Sequence, residues 1–241
     1  MNGKYIQLLI TIIIPILLIS GPILYMSTDI DFFNKEIEKS DVIDRLHVDK
    51  ETAKSIANNV VLYFKNKEDI NPGIVGSTAA THMEDVKSLR SLSLYIFYGL
   101  TVLVILLLIT LILISNKMIP KSIFLGAMLT IGLTVVIFLL ITFAFNSFWA
   151  GLHRIIFTNS LWQLDPSQDA LVAVFSGRFF TDFLTKSIII STVLSAILMV
   201  IGIALEFIRP KEKQDQVSWQ FEKKEKQGKD KEDRSQQDFQ W

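Results

Sequence analysis

Two of the chain's three histidines lie in segments whose other residues suit acid–base chemistry. His82 stands in the stretch THMEDV, and Asp85 follows it by three residues, on the same face if the stretch is helical. His153 lies much further along the chain, in GLHRIIF. Imidazole gains and loses a proton near neutral pH. Two imidazoles that meet can therefore act as base and acid, whereas two that stay apart are incidental polar residues.

The stretch around His82 also has the pattern of a helix start. Thr81 and Glu84 fit the S/T-x-x-E capping box, which makes His82 the first predicted helical residue. The positive end of a helix disfavours imidazolium, so the pattern favours the neutral, base-competent form of His82. Asp85 could orient the ring or stabilise its cation. The alternative is that Thr81, Glu84 and Asp85 only begin a helix, because capping boxes are common.

His153, by contrast, lies among aromatic residues. An aromatic belt at the membrane surface is one interpretation, but belts favour Trp and Tyr, whereas Phe dominates here. Phe has no polar tip for the headgroup region, so a partly buried aromatic pocket is the competing interpretation. The predicted pocket residues are Phe148, Trp149, Phe157, Trp162, Phe179 and Phe180.

Other motifs point to no further chemistry. His47, in RLHVDK, is predicted to lie in an exposed turn and to be incidental. The chain has no cysteine, which excludes disulfides and thiolate ligands. The sequence contains no nucleotide-binding, zinc-protease or serine-hydrolase motif. A zinc site from His82, Asp85 and His153 is conceivable, but their spacing does not select for it, and we predict no metal and no cofactor.

The histidines are separated by apolar runs long enough to cross a bilayer. Of the 241 residues, 50% are hydrophobic, and the mean hydropathy is +0.41. A helix needs about 20 apolar residues to cross the hydrocarbon core. Only helices and closed barrels satisfy backbone polar groups in lipid, and these runs lack the alternation of barrel strands. We therefore predict an all-α membrane protein with four transmembrane helices, at 1–26, 92–114, 123–145 and 184–208.

Positive charge predicts the orientation of these spans. The connection 115–122 carries two lysines and no acid, and Arg209, Lys211 and Lys213 follow the last span. Connections rich in Lys and Arg stay in the cytoplasm. The connection and both termini are therefore predicted to be cytoplasmic, whereas 27–91 and 146–183, with His82 and His153, face outward.

The segments outside the spans are also predicted to differ in kind. Segment 27–91 is too small for a large core, and we expect a small, largely helical extracellular cap. Its best helix, DKETAKSIANNVVLYF, begins after Asp49, and NPGIVGSTAA breaks helical structure. Segment 209–241 is charged and poor in apolar residues, so we expect a disordered cytoplasmic tail. A net charge of zero argues against a nucleic-acid partner, and uncharged span interiors argue against a transporter.

The order of three short motifs resembles a known family. HMEDV at 82–86 before the second predicted span, with LHRIIF at 152–157 and WQLDP at 162–166 after the third, is similar to the lipoprotein intramolecular transacylase (Lit) family of Gram-positive bacteria. The resemblance covers the four spans and both outer segments but not the tail. It implies an acyltransferase of the bacterial cell membrane that acts on diacylated lipoproteins and contacts membrane lipid. It also implies that His82 and His153 are catalytic, and the helical spacing of Asp85 from His82 predicts that Asp85 supports them.

The reaction implied by this resemblance moves the sn-2 acyl chain of the diacylglyceryl group to the α-amino group of the lipoprotein's N-terminal cysteine. The product is a lyso-form lipoprotein. An α-amino group has a pKa of about 8, so a neutral imidazole can complete its deprotonation, and the departing glyceryl oxygen needs a proton. Our hypothesis assigns the base to His82 and the donor to His153, and the reverse assignment stays open. The alternative functions are a non-enzymatic accessory or signalling protein with an extracellular cap, and a zinc-dependent membrane hydrolase.

Overall fold

Regular structure in the described part of the chain is entirely helical. The computed structural model describes residues 3–39, 48–165 and 169–208. The chain divides into two compact units, 1–204 and 205–241, and of the second unit only residues 205–208 are described. The prediction of an all-α protein is confirmed for the described residues. Their helices are α1 (Gly3–Met26), α2 (Ile30–Lys39), α3 (Lys50–Phe64), α4 (Pro72–Val75), α5 (Ser77–Ser115), a 3-10 helix (Asn116–Met118), α6 (Ile119–Ile156), α7 (Ala170–Val174) and α8 (Gly177–Ile208).

Among the described residues, three helical stretches are long and apolar enough to cross a membrane. They are α1, the 80-residue stretch Ser77–Ile156, and α8. The middle stretch contains two helices, α5 of 39 residues and α6 of 38, joined by the 3-10 helix. At 1.5 Å per residue each of these two is about 57 Å long, nearly twice the thickness of a hydrocarbon core. Each is therefore long enough to cross a bilayer and to extend well beyond one of its surfaces.

Close contacts at one end of the helices involve glycines. A Cβ added to Gly3, at the start of α1, would lie 2.9 Å from the sulfur of Met118 in the 3-10 helix. A Cβ added to Gly202, late in α8, would lie 3.1 Å from the carbonyl oxygen of Pro120. The start of α1, the α5–α6 connection and the later part of α8 therefore lie together.

The opposite end brings together the other ends of the same helices. Arg90 of α5 donates a hydrogen bond from Nε to the hydroxyl of Ser27, just after α1, at 2.9 Å. Ser187, early in α8, donates to the sulfur of Met26 at the end of α1, at 3.4 Å. The helices α1, α5, α6 and α8 therefore alternate in direction, so that the start of α5 and the end of α6 lie at the same end.

The chain between α1 and α5 packs together with α7 and the start of α8 in one apolar core. The predicted helix after Asp49 is confirmed, since the Asp49 side chain accepts a hydrogen bond from the Thr52 amide at 2.8 Å and α3 runs to Phe64. One face of α3 is buried, with Ala53, Ile56, Ala57, Val60 and Phe64. It packs with residues of α2, α7 and the start of α8 in a cluster that includes five phenylalanine rings, Phe32, Phe33, Phe64, Phe179 and Phe183.

The start of α5 corrects the prediction of a capping box. The helix begins at Ser77, and Thr81 donates its hydroxyl proton to the Ser77 carbonyl at 3.2 Å instead of capping an amide. The predicted break in the chain falls at Gly76, whose φ of 95° favours glycine, and the small residues after it are all helical. His82 is therefore in the second turn of α5, beyond the free amides that a capping box would satisfy.

The helices α6 and α8 both extend beyond the limits predicted for the third and fourth spans. Helix α6 continues past residue 145 to Ile156, with non-helical torsion angles at Ala144 (φ −142°, ψ 31°), and α8 begins at Gly177 rather than at 184. Most of the aromatic segment 146–183 is thus helical. His47, Pro166 of the third motif and the predicted tail 209–241 lie outside the described residues.

Candidate active site

The structure brings His82 and His153 together. Their ring centroids lie 6.2 Å apart, with the ring planes inclined by 35°. Because α5 and α6 run in opposite directions, the second turn of one helix lies beside the last turn of the other. Both side chains are buried, with 8% of His82 and 9% of His153 exposed. Burial of two imidazoles costs free energy unless hydrogen bonds replace their lost contacts with water.

The main chain of α6 orients His153. Nδ1 of its ring lies 2.8 Å from the carbonyl oxygen of Trp149, four residues earlier in the helix. A carbonyl oxygen only accepts hydrogen bonds, so Nδ1 carries the hydrogen and Nε2 is the atom available for chemistry. The Trp149 ring packs against the imidazole at 4.6 Å between centroids, and the Trp162 ring does so at 5.0 Å.

His82 has a different environment. Its Nδ1 is buried and has no hydrogen-bond partner among the described residues. Burial lowers the pKa of His82 below its ordinary value, the nearby His153 lowers it further, and the negative charge of Asp85 raises it. The neutral form is therefore favoured, in the predicted direction, although the cause is burial rather than the start of a helix.

Asp85 does not hydrogen-bond to either imidazole. Its Oδ2 accepts a hydrogen bond from the side-chain amide of Asn159 at 2.9 Å. The side-chain Oδ1 of Asn159 in turn accepts from the main-chain amide of Leu161 at 3.1 Å. Asp85 thus ties α5 to the loop after α6, which holds the Phe157 and Trp162 rings near the histidines. The sequence analysis did not select Asn159, since an asparagine in a loop carries no signal of its partner.

Three of the six predicted pocket residues contact the histidine pair directly. Phe157 packs against both rings, at 5.1 Å from His82 and 5.6 Å from His153, and Trp149 and Trp162 pack against His153. We call these five residues, His82, Trp149, His153, Phe157 and Trp162, the histidine cluster. Phe180 extends it, because its ring lies 4.3 Å from that of Trp149.

The remaining two predicted pocket residues lie elsewhere. Phe179 packs at 5.2 Å against Phe33 and at 5.0 Å against Phe175, within the apolar core around α2 and α3. Phe148 makes no ring contact with any aromatic side chain in the described part of the chain. Phe145, which the sequence analysis did not select, stacks on Trp149 at 5.7 Å between ring centroids. Residues 145 and 149 are four apart on α6, so their side chains lie on the same face of the helix. Residue 148 is the sequence neighbour of 149 and points about 100° away from it.

Two cavities flank the start of α5. The smaller, of about 190 Å³, is lined by Asp85, Ser88, Leu89, Ile156, Phe157, Thr158 and Asn159, and so adjoins the histidine cluster. The larger, of about 480 Å³, is lined by Tyr63, Asp69, Ile70, Pro72, Ser77, Ala80, Thr81, Glu84 and Lys87. Neither histidine lines the larger cavity. Within the described ranges, no three His, Asp or Glu side chains are grouped so as to hold a metal ion.

Long apolar helices with two buried, ring-flanked imidazoles at one end define a helical membrane protein with a candidate acid–base site. A family model described as lipoprotein intramolecular transacylase Lit matches residues 8–180. The chain therefore belongs to the Lit family, as the sequence resemblance predicted. This membership supports acyltransferase activity and a lipoprotein substrate over the accessory and hydrolase alternatives.

Solved structures support the same fold. The chain is similar to the membrane integral lipoprotein intramolecular transacylase Lit from Bacillus cereus, with a TM-score of 0.75 at 18% identity, over 84% of this chain and 95% of that chain. A second structure of that protein, with a histidine replaced by alanine, gives a TM-score of 0.71 at 18% identity over 84% and 93% of the two chains. At this identity the likeness shows the fold alone. No curated protein matches the chain.

Proposed function

We propose that this chain moves the sn-2 acyl chain of a lipoprotein's S-diacylglyceryl group onto the α-amino group of its N-terminal cysteine. The product is a lyso-form lipoprotein, with one chain on glycerol and one on nitrogen. The observation that carries this proposal is the convergence of buried His82 and His153 in a chain of the Lit family. The diacylated form of the substrate and the roles of the histidines are parts of the proposal.

The reaction is an aminolysis of an ester. The amine nitrogen attacks the ester carbonyl, the new C–N bond forms, and the C–O bond to glycerol breaks. One proton leaves the amine and one reaches the glyceryl oxygen, so no external reactant is consumed. A base must take the first proton and an acid must supply the second. Two imidazoles in contact with the same substrate are sufficient for both transfers.

His82 is the proposed base. Burial and the neighbouring His153 lower the pKa of His82, so its ring is neutral and ready to accept a proton at neutral pH. Its buried Nδ1 has no partner among the described residues, which leaves that nitrogen free for a group supplied by substrate. The negative charge of Asp85 raises the pKa of His82 and so opposes part of the lowering caused by burial. It therefore stabilises the imidazolium that forms when the ring takes a proton from the amine.

His153 is the proposed donor to the glyceryl oxygen and to the developing oxyanion. It lies in the last turn of α6, where the carbonyls of a helix stabilise positive charge. The bond from Nδ1 to the Trp149 carbonyl fixes the ring and directs Nε2 as the second donor of a protonated ring. A positioned donor of this kind stabilises the tetrahedral intermediate.

The aromatic rings are proposed to fold the substrate. Donor ester and acceptor amine belong to one molecule, so holding them in contact supplies much of the rate, with effective molarities of about 10⁵ M or more for well-oriented pairs. Trp149, Phe157 and Trp162 surround the histidines with apolar surface that excludes water. Exclusion of water also protects the ester from hydrolysis.

The proposed topology has four transmembrane helices, α1, α5, α6 and α8, with both termini in the cytoplasm. The alternating helix directions and the length of α5 and α6 support four crossings, and Lys117 and Lys121 at the α5–α6 connection support a cytoplasmic location for that end. The chain between α1 and α5 is then an extracellular cap, and the histidine cluster lies between the cap and the outer membrane surface.

The test is to express the chain in a bacterium whose lipoproteins remain diacylated and to analyse a lipoprotein's N-terminal peptide by mass spectrometry. The proposal predicts a peptide of unchanged mass that carries one acyl chain on nitrogen and one on glycerol, as fragmentation shows. An N-terminal peptide that keeps a free amine and both esters in the presence of the chain would refute the proposal.

A further inference from the structure

The smaller cavity, which we call the Asp85 groove, lies directly beside the histidine cluster. Phe157 is common to both, since it lines the groove and packs against His82 at 5.1 Å. Asp85 lies three residues after His82 on α5 and also lines the groove. A group bound in the groove is therefore next to the proposed base.

The carboxylate of Asp85 has room for a cation. It is partly buried, and its one hydrogen bond within the described structure is the bond that Oδ2 accepts from Asn159. None of the ion pairs among the described residues involves it. A carboxylate without a cationic partner attracts positive charge. The uncharged residues lining the rest of the groove offer no competing ion.

A second observation concerns the imidazole beside the groove. The buried Nδ1 of His82 has no hydrogen-bond partner in the described part of the chain, although the residue is only 8% exposed. Buried polar atoms in folded proteins nearly always have partners. His82 does not itself line the groove, but the charge of Asp85 acts on its ring. A ligand with several N–H donors and a positive charge would pair with the carboxylate beside this imidazole. An α-ammonium group has three such donors.

We propose that Asp85 and its groove bind the α-ammonium group of the substrate and thereby select lipoproteins with a free amino terminus. The inference rests on the proposed function, because it specifies how that reaction recognises its acceptor. Asn159 acts as a positioning residue, since its amide holds one carboxylate oxygen and leaves the other for the ammonium.

The arrangement also suits the proton transfer that follows binding. A proton passes from the ammonium nitrogen to His82, so an N–H bond breaks on the substrate and one forms on the ring. Both the ammonium and the imidazolium lie near Asp85, so the carboxylate stabilises the positive charge before and after the transfer. His82 then passes this proton to the solvent, and the neutral amine is released from the carboxylate to attack the ester. The ring is neutral again and takes the second proton that the nitrogen loses as the amide forms, while His153 protonates the glyceryl oxygen.

The test compares the binding of two synthetic lipopeptides to the purified full chain in detergent. Both carry an S-(2,3-dialkoxypropyl)cysteine, in which ether bonds replace the esters so that no acyl transfer occurs. One has a free α-amine and the other is N-acetylated. Dissociation constants are measured for the unmodified chain, for Asp85→Asn and for the matched control Glu84→Gln, which removes a charge from the neighbouring residue that lines the other cavity.

The inference predicts that the unmodified chain and Glu84→Gln bind the free-amine lipopeptide about tenfold or more tightly than the acetylated one, as expected for a charged hydrogen bond. Asp85→Asn should lose this preference while it binds the acetylated lipopeptide as tightly as the unmodified chain does. Equal binding of both lipopeptides by the unmodified chain would overturn the inference. So would a preference that persists in Asp85→Asn, or a loss of both lipopeptides, which marks a structural role.

A parallel measurement separates this inference from the proposed function. The unmodified chain is incubated with the ester form of the free-amine lipopeptide, and conversion is followed by mass spectrometry. Conversion without an amine preference refutes the role of Asp85 alone. Failure to convert the ester, together with failure to bind either ether lipopeptide, refutes the proposed function and the inference that rests on it.

Discussion

The two aromatic clusters of this protein meet at adjacent residues of α8 but differ in chemistry. Phe179 packs against Phe33 and Phe175 in a cluster without histidine, whereas Phe180 packs on Trp149 beside the histidines. Successive residues of a helix point about 100° apart, so one dipeptide serves both clusters. The phenylalanine cluster has only apolar contacts to offer and stabilises the fold, while the histidine cluster combines apolar walls with proton-transfer groups.

The largest expected difference between the clusters comes from removing an imidazole. His82→Ala and His153→Ala should each lower conversion by at least about 100-fold, because each removes a general acid or base. Phe179→Ala, in the other cluster, should instead lower stability by about 3–5 kcal/mol, as truncation of a buried Phe does. Conversion is measured by mass spectrometry, and the thermal midpoint in detergent measures stability. Near-normal conversion by both histidine variants would contradict a catalytic role for the histidine cluster.

The rings around His153 are expected to have the next largest effect. Trp149→Ala should lower kcat by roughly 10–100-fold, since the substrate loses a wall that orients it, while the Trp149 main-chain carbonyl still holds the imidazole. Phe148→Ala is the matched control, because Phe148 makes no ring contact in the described structure. Equal losses in the two variants would show that the histidine cluster does not define the substrate site.

The dependence of kcat on pH tests the environment of His82. The base must be neutral, and burial lowers its pKa, so the acidic limb of the profile should have its midpoint below the ordinary histidine value of 6.5. The negative charge of Asp85 raises the pKa of His82, so Asp85→Asn should move this midpoint to still lower pH. A midpoint above the ordinary value, or a shift to higher pH in Asp85→Asn, would contradict His82 as the base.

The smallest effect is expected from the charged C-terminal segment. Deletion of 214–241, which lies outside the described residues, should leave the rate of conversion unchanged if that segment is only a solvated extension. The control is the full chain purified in the same detergent. A fall in conversion without a fall in the thermal midpoint would assign the segment a part in catalysis or substrate access.

Much of the fold followed from the sequence because hydrophobic length and helix capping are local signals. The apolar runs predicted the long helices, and Asp49 predicted the start of α3. The start of α5 was mispredicted because Thr81 and Glu84 match a capping pattern, whereas the chain turns earlier, at Gly76. Nothing in the local sequence makes one of two competing starts unfavourable, and tertiary packing decides between them.

The site was predictable in part for a similar reason. Opposite helix directions place the histidines at one end, which follows from counting spans, and the resemblance to the Lit family selected the pair. Which rings face them depends on the rotation of α6 and α8 about their axes. The four-residue spacing places Phe145 beside Trp149, whereas Phe148 points about 100° away from Trp149. The bond between Asn159 and Asp85 joins residues far apart in sequence, and no local signal predicts it.

The most direct test of the account is a crossover experiment with the purified chain. An unlabelled diacylglyceryl lipopeptide is mixed with one that carries heavy isotopes in both its peptide and its sn-2 acyl chain, and the products are separated by mass. Transfer within one molecule at the histidine cluster predicts N-acylated products that are either fully light or fully heavy, and none from His82→Ala or His153→Ala. Mixed products, or esters that remain unchanged with the unmodified chain, would contradict the account.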